Sequence, residues 1–215
     1  MKLMPALPES IFDIGYLAFA IISGVLMLKN EKGRRLATLF GAMTLVLGCG
    51  DAFHLIPRVL NYFTNLNMTA ALGIGKLVTS VTMTVFYVLL EYARRERYGD
   101  TRKGILLVTW VLAAIRIVLC CFPQNAWISE NPPLLWGILR NIPFVVMGVM
   151  TVILWVLSAK GDKPLRLIWL YVLLSFAFYV PVVLFAQSVP IIGMLMLPKT
   201  VCYILMIVSF RKTLK

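Results

Sequence analysis

The sequence predicts an all-α polytopic membrane protein, a seven-transmembrane-helix bundle with its N-terminus outside and its C-terminus cytoplasmic. Three observations predict it. Of the 215 residues, 60% are apolar and 14% charged, and the mean hydropathy is +0.89, far outside the range of a water-soluble domain of this length. Seven stretches stay apolar over about twenty residues, the length that crosses roughly 30 Å of hydrocarbon. The basic residues gather on alternate connections between these stretches.

The elements follow in order. Helix 1 is expected over 9–29; it has only Lys2 as a basic flank and no small-residue cleavage signature, so it reads as a retained helix with the mature chain starting near Met1. Helix 2 is expected over 36–57 and ends in "GCGDAFHLIPR". Helix 3 spans 69–91 and follows Asn67-Met68-Thr69, which in a eukaryote fits a glycosylation acceptor on an outer loop. Helix 4 covers 103–122 and helix 5 covers 134–158, where "RNIP" at 140–143 resembles a break near the start. Helix 6 covers 164–187 with Pro181 near its end, and helix 7 covers 189–210 with Lys199 after Pro198 in mid-span. No repeat, low-complexity tract or long linker divides the chain, so residues 1–215 read as one domain.

Lys29, Lys32, Arg34 and Arg35 follow helix 1, Arg94, Arg95, Arg97, Arg102 and Lys103 follow helix 3, and Lys160, Lys163 and Arg166 follow helix 5. Arg211, Lys212 and Lys215 end the chain, whereas the opposite side offers only Lys2 and Arg58. The positive-inside rule sets the orientation from this bias and requires an odd number of spans. The membrane expected is the plasma (inner) membrane. The net charge of +12 is spent mostly on these short loops, which orient the chain and meet anionic headgroups, so a nucleic-acid partner is excluded. Cys49, Cys120, Cys121 and Cys202 fall inside helices without metal-ligand spacing and read as small apolar fillers. A single histidine cannot supply a His-rich zinc set, and no cofactor or metal is expected.

Lys76, Arg116, Arg140 and Lys199 remain inside spans, with Asp13 and Asp51 as embedded acids. Each ion near the bilayer centre costs about 3 kcal/mol on insertion scales, so these groups must face one another or water. With a rise of about 1.5 Å per residue, the expected directions of the helices put all of them, together with Tyr179, in one outer layer. His54, Arg58 and Gln187 sit nearer the outer surface. Asp51, His54 and Arg58 share a helix face at offsets of three and seven residues. The expectation is a polar cavity open to the outside, richer in cations than in acids, that takes a phosphate or carboxylate. Arg58, Lys76, Arg116, Arg140, Asn141, Tyr179 and Lys199 are the candidate ligand-binding residues. Asp51 and His54 are the candidate catalytic pair, since a carboxylate three residues away can orient an imidazole.

Plainer readings stand beside these. Arg58 and Arg140 can snorkel to headgroups, Asp13 can cap or pair, and Asp51 can neutralise a neighbouring cation. Tyr171, Ser175 and Tyr179 form a hydroxyl-bearing face that lines the cavity or else packs as aromatics beside a proline kink. Thr79 and Ser80 extend the polar wall or bond back to their own helix.

The stretch "LGCGDAFHLIPR", with "GDAF" at 50–53, is similar to the Gly-Asp motif of the YhhN-like lysoplasmalogenase family. "ALGIGKLVTSVTMTVFY" and, more loosely, "LPKTVCYILMIVSF" resemble its following and last helices. The resemblance implies hydrolysis of a vinyl ether in lysoplasmalogens, with Gly50 and Asp51 carrying over as the motif. The chain departs from that family in showing seven spans rather than eight and Ser175-Phe176 where the family has a Ser-Asp pair. Vinyl-ether hydrolysis needs a proton delivered to carbon and water added to an oxocarbenium-like centre, work that a carboxyl and a second acid-base group share. The other readings are a transporter or receptor for a small anionic ligand, a retinal-binding rhodopsin-like protein using Lys199, and a structural or assembly role. No internal repeat supports the transporter, and helix 3 offers Lys76 where a rhodopsin keeps a counterion carboxylate.

Overall fold

The computed structural model describes residues 3–30 and 34–215, with side chains from residue 7 onward. Lys2 and Lys32 therefore lie outside the described residues. The helices are α1 (Leu3–Leu28), α2 (Arg34–Phe63), α3 (Thr69–Tyr98), α4 (Lys103–Cys121), α5 (Leu134–Ser158), α6 (Ile168–Phe185) and α7 (Met196–Thr213). Short 3₁₀ turns at Pro123–Asn125 and Pro190–Leu195 precede α5 and α7. Seven helical segments, the last including the Pro190–Leu195 turn, are long and apolar enough to cross a membrane. There is no strand among the described residues.

Successive helices are neighbours around a closed ring, and α7 returns to pack on α1. Cross-contacts from α3 to α5 and from α2 to α7 narrow the centre. The centre is filled by aromatic and thioether side chains. Phe40 and Phe210 stack with centroids 4.5 Å apart, and Tyr87 meets Phe86, Phe144 and Phe176 edge-on at 5.5, 5.2 and 5.6 Å. Met43, Met147, Trp155 and Met206 complete this buried column. The outward faces of α1, α4 and α5 carry exposed Ile, Leu and Val, the composition that hydrocarbon accepts.

Helices α2, α3, α5 and α7 each depart from the sequence reading at one point, for a local reason. Helix α2 continues through Pro57 to Phe63. A helical proline withdraws the donor that the carbonyl four residues earlier would use, and Gly75 of α3 lies directly against that Phe53 carbonyl. Helix α3 continues to Tyr98 because its last turns are folded around Arg94, which is 0% exposed. Arg94 donates from Nε and Nη2 to Glu91 at 2.8 Å each, from Nη2 to Asp100 at 2.6 Å and from Nη1 to Ser158 at 2.8 Å. Gly99, at φ 64°, then closes the helix in the left-handed conformation glycine favours. Helix α5 has no break at "RNIP" and runs through Pro143. Helix α7 begins only at Met196, so Pro198 sits in its first turn, where no donor is needed, and Lys199 lies in the first turn of the α-helix while remaining well inside the Pro190–Thr213 segment.

The basic connections share one end of the bundle and are cross-tied there. Arg97 donates to Asp162 at 2.8 Å, and Arg35 pairs with Glu96 at 3.1 Å. Arg102 and Arg94 both hydrogen-bond Asp100, and they hold its carboxyl well below the usual carboxylate range.

Close helix approach along α2 and α3 sets the position of His54. A Cβ on Gly50 would strike the Thr82 side chain, and one on Gly75 would strike the Phe53 carbonyl and the His54 Cα. Gly75→Val should therefore separate the two helices and destabilise the chain by about 1–3 kcal/mol, measured by denaturation in detergent. Gly15→Ala, where nothing stands within 4 Å of an added Cβ, should cost no stability in the same measurement and gain up to about 1 kcal/mol from helix propensity.

Candidate functional site

At the end of the bundle opposite the basic connections, a cavity of about 590 Å³ opens between α2, α3, α5, α6 and α7, with Arg116 of α4 at its base. That volume lies within the ordinary range for small-molecule sites, about 300–1,000 Å³. The connection between α4 and α5 forms part of the rim through Trp127, Ser129, Glu130, Pro132 and Pro133. This connection is held rigidly by one buried side chain, Asn125, whose Nδ2 donates to the carbonyls of Leu119 and Phe122 at 2.8 Å each. Trp127 Nε1 donates to the Cys120 carbonyl at 2.9 Å, and the Trp127 backbone seats against Gly73.

The four embedded cations come together in the wall of this cavity, each from a different helix. Lys76 of α3 is exposed at the mouth, and Arg140 of α5 is half-buried. Arg140 Nη1 donates to Asn125 Oδ1 at 2.7 Å, and its guanidinium lies 4.1 Å from the Trp127 ring centroid. Deeper in, Arg116 is 2% exposed, with its guanidinium carbon 3.3 Å from the Phe144 centroid. Its Nε and Nη1 are buried without a hydrogen-bond partner. Lys199 is 7% exposed, and its Nζ lies 4.8 Å from the Tyr179 centroid and 5.5 Å from that of Tyr203. No salt bridge is formed by Lys76, Arg116, Arg140 or Lys199 among the described residues. Only one carboxylate lines the cavity, that of the exposed Glu130, which sequence reasoning missed.

Helix direction adds to the imbalance. Helices α3, α5 and α7 all begin at the cavity, and none has an acidic residue in its first turn. The partial positive charge of a helix start normally favours acids there. Lys199, in the first turn of α7, is placed against that preference.

The polar wall is completed by Asn141 and Tyr179. Asn141 Nδ2 donates to the Gly137 carbonyl at 2.8 Å, and Tyr179 Oη donates to Asn141 Oδ1 at 2.8 Å. Of the hydroxyl face on α6, only Tyr179 reaches the cavity. Ser175 is buried in the core, where it donates to the Val172 carbonyl at 2.8 Å, and Tyr171 packs against the core. Thr79 and Ser80 line the wall; Ser80 bonds back to the Lys76 carbonyl at 2.7 Å, while Thr79 crosses to the Gly50 carbonyl at 3.2 Å. Gln187 also lines the cavity and donates to the Pro132 carbonyl at 2.8 Å.

The Asp51, His54, Arg58 stripe does not stay together. His54 lines the cavity, and its Nδ1 is buried without a partner. Asp51 and Arg58 are not part of the cavity wall and turn toward α1. Tyr16 of α1 donates to Asp51 Oδ2 at 2.7 Å, and Arg58 forms an ion pair with Glu9, to which Tyr62 also donates at 2.9 Å. Asp13 lies in this second cluster, 3% exposed, with its Oδ2 unpaired. The expected orientation of His54 by Asp51 is therefore replaced by a Tyr16–Asp51 hydrogen bond. The reason is that α1 packs along that flank of α2 and presents its own donors and acceptors there.

Phe144, Trp127, Asn125, Tyr203 and Tyr16 were not singled out in the sequence. Phe144 follows Arg140 by four residues and so shares its face of α5, but its seat beneath Arg116 depends on how α4 meets α5. Asn125 stands after Pro123 in a turn-forming stretch, which is the one local hint of its role.

Fold and site together define a class: an all-helical protein of seven membrane-length helices with a cation-lined cavity at one end. Comparison with known protein families, characterised proteins and solved structures gives no match to this chain. Among the described residues, no group of three His, Cys, Asp or Glu side chains is arranged to hold a metal ion.

A guanidinium resting on an aromatic ring gains about 2 kcal/mol when desolvated, whereas burying an unpaired ion costs several kcal/mol. Arg116 is thus a net cost to the empty chain. Arg116→Met should stabilise the ligand-free protein by about 1 kcal/mol or more, read from thermal or denaturant unfolding in detergent. A clear loss of stability would instead assign the guanidinium a packing role.

Proposed function

We propose that the chain is an integral membrane protein, N-terminus outside and C-terminus cytoplasmic, whose outward cavity binds a lipid or metabolite through a phosphate or carboxylate group. The observation that supports this reading most is Arg116, a buried guanidinium with two free donors at the base of a wall where four basic residues meet one acid. Nε and Nη1 lie on different edges of the guanidinium, so each calls for its own acceptor oxygen rather than for one bidentate pair. Apolar residues of the same wall, among them Leu72, Met83, Val182, Val183 and Met196, suit an acyl chain or another apolar portion. The plasma (inner) membrane is the proposed location, and orientation by the basic end is the ground for it.

Lysoplasmalogenase-like hydrolysis is a second reading, favoured by His54, which lines the cavity with its buried Nδ1 unpartnered and lies one turn from Asp51. A carrier or receptor uses the same cavity without chemistry. The aromatic column below the cavity closes the way to the basic end in this conformation. Retinal on Lys199 is less favoured, because α3 brings Lys76 and no carboxylate into the cavity wall where a counterion would stand.

Native mass spectrometry of the chain extracted with its membrane should show a retained anionic lipid or metabolite. Arg140→Ala and Lys199→Ala should each lower its occupancy several-fold, and unchanged occupancy in both would overturn the binding reading. For the hydrolase reading, the wild type should release aldehyde from a lysoplasmenyl lipid. Asp51→Asn should abolish that release with expression intact. A wild type without aldehyde release, or an Asp51→Asn variant with full turnover, removes hydrolysis and leaves binding in place.

A further inference from the structure

The cavity also has a preference among phosphate-bearing ligands, because its aromatic faces are already taken. Choline and related headgroups are recognised by aromatic rings that receive the quaternary ammonium over their faces. Three aromatic side chains line this cavity, Trp127, Phe144 and Tyr179. Each has a cation of the protein over it: Arg140 at 4.1 Å, Arg116 at 3.3 Å and Lys199 at 4.8 Å. A ligand ammonium entering the cavity meets occupied rings and four like charges. Its one available carboxylate is Glu130, which is exposed at the rim rather than set in the depth.

The number of charges points the same way. Lys199 feels the charge of Asp51 of α2 first and that of Arg116 second, and Lys76 and Arg140 nearer the mouth feel each other. Asp51 behind the wall and Glu130 at the rim offset part of this charge, and Lys76, Arg116 and Arg140 form no ion pair among the described residues. A phosphomonoester carries about −1.5 to −2 at neutral pH and three strong acceptor oxygens, enough to take a donor from the Arg116 guanidinium and one from the Lys199 ammonium at once.

Resting on the anion-binding reading above, we propose that the cavity selects a terminal phosphomonoester without an attached ammonium, carried by a lysophosphatidate-like lipid or by a small phosphorylated metabolite. It discriminates against choline and ethanolamine phosphodiesters of the same chain length. This separates the chain from the lysolipids implied by its resemblance to lysoplasmalogenases.

The test is a thermal-shift titration of the full chain in detergent with 1-acyl-glycerol 3-phosphate, the matching lysophosphatidylcholine, the matching fatty acid, glycerol 3-phosphate and inorganic phosphate. Half-saturation by the lysophosphatidate should come at a concentration at least tenfold lower than by the lysophosphatidylcholine or the fatty acid. Arg116→Gln and Lys199→Gln should each erase the difference. Glycerol 3-phosphate matching the lysophosphatidate supports the proposal and assigns the metabolite as the source, while a weak response to it assigns the lipid. Lysophosphatidylcholine or fatty acid within twofold of the lysophosphatidate overturns the headgroup preference and leaves anion binding standing. No shift with any of the five overturns both. The comparison among ligands on the wild type needs no variant to fold.

Discussion

The constraint from which the rest of this structure follows is an uncompensated positive charge held inside an apolar bundle. Lys76, Arg116, Arg140 and Lys199 reach one cavity from four helices and find one exposed carboxylate among its lining residues. In a membrane-length bundle each such cation is expensive, and aromatic rings recover only part of that cost. The surrounding architecture is arranged to tolerate it. Asn125 fixes the rim and accepts from Arg140, Phe144 and Trp127 lie flat beneath guanidinium groups, and close α2–α3 contact at Gly50 and Gly75 sets the wall that carries His54.

The two ends of the molecule treat basic residues differently, and the contrast is informative. At the end bearing the connections rich in lysine and arginine, Arg94 is fully buried yet bonded to Glu91, Asp100 and Ser158, and Arg97 is paired with Asp162. Those cations are neutralised within the fold and serve to clamp α3, α5 and the loops. In the cavity wall, Lys76, Arg116, Arg140 and Lys199 form no ion pair among the described residues. The same fold therefore shows that it can pair a buried arginine, which makes the unpaired Arg116 a feature of the site rather than of the sequence's general richness in arginine.

The seven membrane-length helices were legible in the sequence, because hydropathy over twenty residues depends on solvent alone. Convergence of Lys76, Arg116, Arg140 and Lys199 was legible too, since an embedded ion must turn inward and helix direction fixes its depth. The fate of Asp51 and Arg58 was not. Which flank of α2 faces the cavity and which faces α1 is decided by tertiary packing, and α1 supplied Tyr16 and Glu9 to claim them. The late start of α7 was hidden because Pro190–Leu195 is apolar whether it forms a helix or a 3₁₀ turn. The buried Arg94 cluster was hidden because a paired arginine reads from sequence like any other loop-flanking cation.

The account is tested most directly by a high-resolution density map of the chain extracted with its own membrane lipids, inspected at the base of the cavity. The predicted result is density for an anionic group bridging Arg116 and Lys199, with the Arg140 and Lys76 side chains facing the same space. Side chains of these four residues turned to separate places, each with its own carboxylate and no shared void, would contradict it.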